Sequence, residues 1–600
     1  MGPIVILPRS CAPRVAALLF VSALAVACGG GGGSSGSTPF AHSQGFYVDS
    51  VGGDDANTGK DSAHPWRTLA KVSGTTFTNG SVVYLKRGDT WNEQLTIPSS
   101  GITIDAYGSG ANPIIDGSSA ISGSWSSLGG GVYGVSLVLA PGEALGNVSE
   151  AGVLMTFVPW QGDAGTTFAA AGAGTYSYEY PSTVYVKTAS NPNTNGKVYR
   201  ASVKLYGIDA TSVRDVVVRN VTVTRFSLHG VQFKHCVRCE IHDAAVSQGG
   251  GATIAAGVYA GNGIEFGDNV SDGLVDGLTV SDIFDSGISP QTYDSGRTMS
   301  GITIRNSQIS RCGFAGIEVS VLSNGGTTGS SISGVTISGV TVSDSGRGWS
   351  GQRYGTEGRG IRVKADAGAG TMNGVQIDTT TVDHSVGDGV MLAGEIGAVA
   401  LSRVEIKRNA IGVNLSDATA ASAKLRLTSS LVHNNTGAGV LYNAPNAAGF
   451  ELLQDTFSNN TGFNVEVLNQ QGTAKIENNI FFGTAAMTHL YVDSTLFGAT
   501  VDYNCYTEGA NMVGYDGTAY ATVAAFQAGT GFEAHGLGGT VVALDLSNPS
   551  APDPAPSDFG FPHATTSVCK WQGDATVGIV ADFSGYAYHN PPSTGAWEYR

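Results

Sequence analysis

Short runs of alternating apolar and polar residues recur along the chain from about residue 207. The clearest runs begin at Asp215, Gly301, Gly334 and Gly374, with later copies near residues 400, 425, 452 and 475. Val or Ile fills most alternate positions, which is typical of β-strands with one buried face. Asn220, Asn306 and Gly339 lie in the middle of such runs, where a left-handed bend between two strands favours Asn or Gly.

A second motif, Gly followed by Ile or Val, alternates with these runs. It occurs at Gly230, Gly263, Gly287, Gly316, Gly360, Gly389, Gly412 and Gly439. The intervals range from 23 residues (Gly389 to Gly412) to 44 residues (Gly316 to Gly360). A base period near 23 residues with variable insertions predicts an all-β, three-sided parallel β-helix, in which each strand pairs with its equivalent one coil later, about 4.8 Å away. A β-propeller has longer periods, and a leucine-rich repeat has a Leu/Asn signature that this sequence lacks.

The Gly motif also aligns the side chains that point outward from successive coils. If the Ile or Val points inward, the next residue points outward, because side chains alternate along a strand. The predicted outward row is Gln232, Glu265, Ser289, Glu318, Arg362, Met391, Asn414 and Leu441. A second row, two positions later, is Lys234, Gly267, Gln291, Ser320, Lys364, Ala393 and Ser416. Ionisable residues are concentrated between Gln232 and Lys364, which predicts a functional surface there.

Long insertions fall on the same coils, at residues 247–261, 292–300, 322–333 and 347–358. Loops on a rigid scaffold often carry functional residues, and aromatic side chains on them can stack on the apolar face of a sugar ring. We therefore predict substrate-binding roles for residues on or beside these coils. They are His229, Lys234, Tyr259, Gln291, Tyr293, Trp349, Arg353, Tyr354 and Arg359.

Composition and charge narrow the class of protein. Gly accounts for 86 of the 600 residues and charged residues for only 13%, which suits short strands and tight turns. The formal net charge is −16 and no Lys/Arg-rich run exists, which argues against a nucleic-acid partner. A repeat fold can reach this length as a monomer, since each repeat buries its face only against its neighbours.

The first 27 residues have the features of an export signal. Arg9 and Arg14 precede an apolar run at residues 15–27, which is too short for a comfortable transmembrane helix. The small residues before Cys28, and the Gly/Ser tether that follows to residue 45, resemble a bacterial lipobox with Cys28 as the lipidated residue. This resemblance implies an outer-membrane anchor in the cell envelope or at the cell surface. An ordinary secretory signal cleaved nearby is the alternative.

Several segments resemble secreted proteins of the pectate-lyase-like superfamily. They are residues 46–50 (Phe-Tyr-Val-Asp-Ser), 53–59, 65–69 (Pro-Trp-Arg-Thr-Leu), 86–91, 106–113 and 595–599. The resemblance implies a right-handed parallel β-helix that acts on polysaccharides, because the superfamily holds polysaccharide lyases, glycoside hydrolases, epimerases and binding proteins. Residues 120–205 are similar to the small β-sandwich inserted in some carbohydrate-active members.

The expected divisions follow from these segments. Residues 46–119 form an N-terminal cap and the first coils, and an amphipathic stretch at 65–72 is expected to be a helix over the first coil. Residues 120–205 form the β-rich insertion and residues 206–502 form the main β-helix. Residues 503–600 lose the repeat and are expected to cover the far end of the stack.

Paired carboxyl groups in the outward row suit a glycoside hydrolase. Glu265 and Glu318 lie two coils apart, about 10 Å at the backbone, which is compatible with an inverting enzyme that uses one carboxyl as acid and another as base. Asp285 is a candidate third acid. The same three residues, Glu265, Asp285 and Glu318, are alternatively candidate ligands for Ca²⁺.

Cations in the same row suit a polysaccharide lyase instead. The lyases of the superfamily combine acidic metal ligands with an Arg or Lys base, and Arg362 and Lys364 are the candidates here. Either would remove the C5 proton of a uronic-acid residue, and Arg359 nearby would lower the pKa of Lys364. The sequence favours β-elimination over hydrolysis, and either reaction over a third hypothesis, a non-catalytic carbohydrate-binding or adhesive protein. A purely structural ion pair between Arg362 and Glu265 or Glu318 also remains open.

Overall fold

Successive coils of short strands form most of this computed structural model, which describes residues 44–158, 168, 170–323, 326–349, 357–562 and 566–599. The export signal, Cys28, Arg353 and Tyr354 lie outside the described residues. Residues 44–116 and 206–539 build three long sheets, numbered 1 to 3 below, in which nearly all strand pairs are parallel. The predicted parallel β-helix is therefore confirmed.

In each of the three sheets, the equivalent strands of successive coils pair side by side. Sheet 1 contains Gln44–Val48, Ser81–Lys86, Thr103–Tyr107, Arg214–Arg219, Val237–His242, Leu274–Asp276, Thr298–Ser300, Thr303–Arg305, Ser330–Ser338, Gly370–Asp378, Ala398–Ser402, Lys424–Thr428, Gly449–Leu453, Thr473–Glu477 and Thr500–Asp502. Sheet 2 contains Leu95–Thr96, Tyr206–Thr211, His229–Lys234, Ile264–Gly267, Ser286–Thr292, Ala315–Val321, Arg359–Ala365, Val390–Gly394, Val413–Ala418, Val440–Tyr442, Val465–Val467, Leu490–Val492, Val513–Tyr515 and Thr518–Tyr520. Sheet 3 contains Thr90–Trp91, Ile114–Asp116, Thr222–Thr224, Ala245–Gly249, Thr279–Ile283, Gln308–Cys312, Thr341–Ser343, Thr381–Asp383, Glu405–Lys407, Leu431–His433, Thr456–Ser458, Ile480–Phe482, Cys505–Thr507 and Leu537–Gly539.

The inward residues of the three sheets form one continuous apolar core. Aromatic rings stack along its axis, with the centroids of Phe233 and Phe266 5.3 Å apart and those of Phe481 and Tyr506 4.8 Å apart. The bends between sheets 1 and 3 are left-handed at the predicted positions, with φ of 57° at Asn220, 50° at Asn306 and 62° at Gly339. Alternating burial and periodic bends therefore define each coil.

Close contact between neighbouring coils explains the Gly of the Gly-Ile/Val motif. A Cβ atom on Gly360 would lie 2.1 Å from Cγ1 of Val382 and 2.5 Å from the carbonyl oxygen of Gly389. At Gly316 a Cβ would lie 2.2 Å from Cγ1 of Val342. The motif marks the corner where the chain passes into sheet 2 and where a side chain has no room.

We expect the substitution Gly360→Ala to lower the free energy of unfolding by about 1–3 kcal/mol, because the added methyl group overpacks this corner. Calorimetric unfolding of the purified variant measures the effect. Gly172→Ala is the matched control, since a Cβ on Gly172 meets nothing within 4 Å. Equal stability of both variants would contradict the steric explanation of the motif.

Two additions decorate the N-terminal half of the stack. Helix α1 (Leu69–Ser73) buries Leu69 and Val72 beside the first coils. The insertion forms two small sheets, one of Ser118–Ala120, Val148–Glu150, Val153–Leu154 and Tyr199–Ser202, the other of Ser126–Gly129, Val132–Ser136, Thr156–Phe157, Thr175–Glu179 and Thr183–Lys187. A hairpin of Ala252–Ala255 and Val258–Ala260 follows the sheet 3 strand Ala245–Gly249.

The C-terminal region departs from its predicted arrangement. Sheet 3 continues to Leu537–Gly539, one coil beyond the boundary predicted at residue 502. Helix α2 (Val523–Thr530) buries Val523 and Phe526 against the end of the core, whereas the residues after helix α3 (Val541–Leu544) run back along the side of the stack. There Asp553 accepts a hydrogen bond of 2.8 Å from Arg408, and short 3₁₀ helices span Pro556–Phe559 and Ala575–Val577.

Disulfides join Cys505 to Cys569 and Cys236 to Cys239, and Cys312 is a buried free thiol. The first of these bonds ties the returning C-terminal segment to the last coils. Within the described ranges, no helix is both long and apolar enough to cross a membrane.

Candidate active site

The outward row of sheet 2 has the register that the Gly motif predicts. Glu265 pairs with Gln232 on one side and with Ser289 on the other, and Glu318 pairs with Arg362. These five side chains are nevertheless buried, none with more than 9% of its surface exposed. The row is therefore an enclosed polar layer rather than a solvated outer face, and every polar atom in it needs a partner.

Glu318 is the centre of this layer. Its Oε2 accepts hydrogen bonds from the Ser286 hydroxyl (2.8 Å) and from the Gln291 amide (3.1 Å). Its Oε1 accepts from the Ser320 hydroxyl (3.0 Å) and forms an ion pair with the Arg362 guanidinium. Both oxygens act only as acceptors, which is the hydrogen-bonding role of a carboxylate. The alternative of a structural ion pair between Glu318 and Arg362 is thus present in the molecule.

Glu265 lies in a different environment, with only 1% of its surface exposed. Its Oε2 accepts one hydrogen bond of 2.8 Å from the Asn262 amide. Burial raises the pKa of Glu265 well above its ordinary value of 4.5, and the charges of Glu318, Asp285 and Asp268 raise it further. The same row therefore holds one carboxyl group whose pKa is raised by burial and another, Glu318, whose two oxygens both accept hydrogen bonds from protein donors, a division that suits acid–base chemistry.

Tyr293 closes the layer above Glu265. A Cβ atom on Gly267 would lie 2.5 Å from the Tyr293 hydroxyl oxygen and 3.6 Å from Oε1 of Glu265, so the absence of a side chain at Gly267 makes room for this phenol. Burial raises the pKa of Tyr293, as do the nearby charges of Glu265 and Asp268. The Tyr293 hydroxyl thus lies beside Glu265, the acid whose pKa is raised.

Asp268 holds the loop that carries Tyr293. Its Oδ1 accepts the backbone N–H groups of Tyr293 (3.0 Å) and Asp294 (3.3 Å). Its Oδ2 lies 3.4 Å from the Lys234 ammonium, which also lies over the Tyr293 ring at 4.4 Å from the centroid. Lys234, predicted to bind substrate, therefore also supports the position of Tyr293.

Tyr206 and His229 form the other wall. Their rings stack with centroids 6.0 Å apart, and the backbone N–H of Asn262 donates to Nδ1 of His229 at 3.2 Å. Burial lowers the pKa of His229 to about 3, with a smaller effect from the charge of Lys234. His229 is therefore neutral, and it positions Asn262, the residue that binds Glu265.

Both cations proposed as the lyase base are ion-paired. Lys364 lies 2.7 Å from Oδ1 of Asp366, and Arg362 pairs with Glu318 as described above. Arg359 lies 3.8 Å from Oδ2 of Asp388, a carboxyl whose pKa burial raises. Each of these three cations therefore has a carboxylate partner, whereas a lyase base has to be free to accept a proton.

Two aromatic residues predicted to contact sugar have another role. The centroid of Tyr259 lies 4.9 Å from that of Phe157, and the centroid of Trp349 lies 5.2 Å from that of Phe284. Both side chains are more than nine-tenths buried in the core that joins the insertion to the coils. Both rings are therefore part of this core instead of exposed platforms, and the substrate-binding roles of Tyr259 and Trp349 stay predictions. Arg353 and Tyr354, with the same predicted role, cannot be placed, since they precede the described segment that begins at residue 357.

Asp285 lies half-buried at the start of the sheet 2 strand Ser286–Thr292. Its charge acts on Glu265 and so places it in the same cluster. In the part of the chain that the structure describes, no group of three or more His, Cys, Asp or Glu side chains is arranged to hold a metal ion. The proposed Ca²⁺ ligands Glu265, Asp285 and Glu318 stay a prediction.

Sequence reasoning missed the residues that support the row. Tyr206, Asn262 and Ser286 contact the row through their side chains, and Asp268 and Asp366 pair with Lys234 and Lys364 of the second row. Asn262 and Ser286 flank the Gly of the motif, and Asp268 directly follows the strand Ile264–Gly267. A polar residue directly before the Gly of the motif, or directly after the sheet 2 strand, was the sequence feature that could have identified them.

Comparison with known proteins agrees with this architecture. A family model described as a right handed beta helix region matches residues 182–352, and no curated protein sequence matches the chain significantly. A solved structure of XylC with xylose is 14% identical, with a TM-score of 0.49 over 82% of this chain and 86% of that one. Pectate lyase Pel9A is 14% identical, with a TM-score of 0.39 over 94% and 98% of the two chains. At these identities and TM-scores the two solved structures carry no argument about this chain, so its function has to be argued from the site.

Proposed function

Because the chain forms a right-handed parallel β-helix of the pectate-lyase-like type, we propose that it is a carbohydrate-active enzyme and that it hydrolyses a glycosidic bond. Glu265 is the general acid. The observation that carries this proposal is the placement of Glu265, which is only 1% exposed and lies near other carboxyl groups, so that both burial and their charges raise its pKa. A general acid has to hold its proton at the working pH, and burial beside other acids is how enzymes achieve this.

Asp285 is the general base in this proposal. Glu318 is the other candidate, but only 5% of it is exposed, whereas the general base has to contact the attacking water. Asp285 is half-buried and close enough to Glu265 for its charge to raise the pKa of that acid. The Arg362–Glu318 pair then fixes Ser286 and Gln291, because Oε2 of Glu318 accepts hydrogen bonds from both side chains.

The reaction balances with these two groups alone. Glu265 donates its proton to the glycosidic oxygen as the C1–O bond breaks, and Asp285 accepts a proton from the water that forms the new bond to C1. Water attacks from the opposite face of the sugar, so the product has inverted anomeric configuration. Tyr293, which stays neutral, is placed to donate to a substrate oxygen beside Glu265.

The geometry supports hydrolysis better than the β-elimination that the sequence favoured. A lyase needs a base at C5 of a uronate, and Arg362 and Lys364 are both engaged with carboxylates. Separating Arg362 from Glu318 is energetically costly, because that pair is buried. Elimination, and binding without turnover, are therefore outcomes that the assay has to distinguish from hydrolysis.

We expect the purified protein to release reducing ends from at least one member of a panel of xylans, pectin, alginate and glycosaminoglycans, without forming unsaturated uronides. Reducing-end assays and ultraviolet absorbance measure the two products, and proton NMR of fresh product gives the anomer. Unsaturated products would establish elimination instead, and retention of a glycan without either product would establish a binding protein.

A further inference from the structure

Asn262, directly before Gly263 of the motif, is held by residues of three consecutive coils. Its amide nitrogen donates to Oε2 of Glu265, in its own coil, at 2.8 Å. Its Oδ1 accepts the backbone N–H of Ser286, in the next coil, at 2.9 Å. Its own backbone N–H donates to Nδ1 of His229, in the preceding coil, at 3.2 Å. The side chain is buried and has one position relative to Glu265.

The orientation of the Asn262 amide follows from the groups around it. A backbone N–H can only donate, so the amide atom that faces the Ser286 N–H has to be the oxygen. With the amide turned over, its nitrogen would face that N–H, and the fully buried Ser286 would lose the acceptor for its backbone. The amide nitrogen of Asn262 therefore faces Glu265.

The two oxygens of the Glu265 carboxyl group consequently differ. Oε2 accepts the hydrogen bond from Asn262, whereas no group among the described residues is hydrogen-bonded to Oε1. A proton on Oε2 would point at the N–H donor of Asn262. A proton on Oε1 leaves Oε2 as the carbonyl oxygen, which is the better acceptor of a protonated carboxyl group.

Oε1 lies on the side of Gly267. A Cβ atom on Gly267 would be 3.6 Å from Oε1 and 2.5 Å from the Tyr293 hydroxyl oxygen, so both oxygens border the same small space. The titratable groups whose charges act on Glu265, or on which its charge acts, are Tyr206, Asp268, Asp285, Tyr293 and Glu318, with Lys234 paired to Asp268. Asn262 is the neutral donor that makes one Glu265 oxygen different from the other.

We propose that Asn262 is a positioning residue that keeps the transferable proton of Glu265 on Oε1, so that the glycosidic oxygen has to approach from the side of Gly267 and Tyr293. This inference rests on the proposed function, in which Glu265 is the general acid. The proton passes from Oε1 to the glycosidic oxygen as the C1–O bond breaks. Oε2 keeps the hydrogen bond from Asn262, which strengthens as Glu265 becomes a carboxylate.

The infrared carbonyl band of protonated Glu265 tests this placement without a substrate. The difference between the spectra of the wild type and Glu265→Gln at about pH 5, where an unshifted Glu is mostly ionised, isolates the band. A carbonyl band moves to higher wavenumber when its oxygen loses a hydrogen bond. We therefore expect a higher wavenumber in Asn262→Leu, with the double variant Asn262→Leu, Glu265→Gln as its reference.

A band that stays at the wild-type wavenumber in Asn262→Leu would overturn the role of Asn262, because the carbonyl oxygen would then not be Oε2. Absence of the band from the wild type would mean that Glu265 holds no proton at this pH. That result would refute the proposed general acid, and with it the inference.

Asn262→Asp gives a kinetic test with little change of shape. One Asp oxygen still accepts from Ser286, but the other replaces the donor to Oε2, so a single shared proton lies between the two carboxyl groups and Oε1 has none. We expect activity on the polysaccharide to fall about 10²–10⁴-fold at neutral pH. The ratio of variant to wild-type activity is expected to rise as the pH falls, because a second proton binds the pair and restores one on Oε1.

Asn443→Asp is the matched control. Oδ1 of Asn443 accepts the Asn469 amide at 3.1 Å in a later coil, and Asp keeps an oxygen for this contact, so wild-type activity is expected at every pH. Full activity of Glu265→Gln on the polysaccharide would refute the proposed function. If Glu265→Gln is impaired but Asn262→Asp is fully active, or is impaired by the same factor at every pH, only the role of Asn262 is refuted.

Discussion

Replacing Glu265 with Gln is expected to lower kcat on a polysaccharide substrate by about 10²–10⁴-fold. Gln keeps the shape of the side chain and a partner for Asn262, which donates to Oε2 of Glu265 in the wild type. It cannot donate a proton to the departing glycosidic oxygen. Steady-state kinetics on the substrate that the panel identifies measure the effect.

A substrate with a good leaving group provides the control for this prediction. The nitrophenolate group of a nitrophenyl glycoside leaves without being protonated, so Glu265→Gln is expected to retain most of the activity on this substrate. Asp285→Asn is expected to lose activity on both the polysaccharide and the nitrophenyl glycoside. Equal losses on both substrates in Glu265→Gln would mean that Glu265 has a role other than proton donation. Full activity of Glu265→Gln on the polysaccharide would refute the assignment altogether.

The substitution Arg362→Met is expected to reduce the free energy of unfolding by about 3–5 kcal/mol, the range measured when one partner of a buried ion pair is removed. Glu318 is 5% exposed and would keep three neutral donors but no compensating charge. Met is similar in length to the aliphatic part of Arg and fills much of the same space. Calorimetric unfolding measures the loss.

The double variant Glu318→Gln with Arg362→Met is the matched control. It removes both charges, so it is expected to recover most of the stability that Arg362→Met loses, as a double-mutant cycle shows when two residues are coupled. If the loss of stability in the double variant equalled the sum of the losses in Glu318→Gln and Arg362→Met, this would contradict a buried ion pair between Glu318 and Arg362.

The coil architecture and the register of the outward row could be predicted because both follow from local rules. Alternation fixes which side chains point inward, and steric contact at Gly316 and Gly360 marks the same corner in each coil. Counting from that corner therefore aligned Glu265, Glu318 and Arg362 correctly across coils. Because each coil repeats the same motif, counting residues within one coil predicts which residues of neighbouring coils lie side by side. Folds without repeats rarely allow such a prediction.

The burial of the row and the placement of its loops could not be predicted in the same way. Trp349 lies on a loop whose length indicated exposure, but the insertion packs over it and buries it beside Phe284. Asp366 neutralises Lys364 from a position outside the aligned row. Such contacts depend on how one irregular segment meets another, and no period in the sequence encodes them.

The pH dependence of the stability difference between wild type and Glu265→Gln tests the central claim, that Glu265 is protonated in the folded protein, without requiring a substrate. The raised pKa of Glu265 means that the folded state binds a proton that the unfolded state releases above about 4.5, so folding of the wild type weakens as the pH rises from that value toward the folded-state pKa. Gln has no such titration. We therefore expect the free energy of unfolding of the variant, relative to the wild type, to increase steadily with pH above about 4.5 and to level off only above the folded-state pKa. A difference that stays constant between about pH 4 and about pH 8 would show that Glu265 titrates near its ordinary value, and the proposed general acid would have to be another residue.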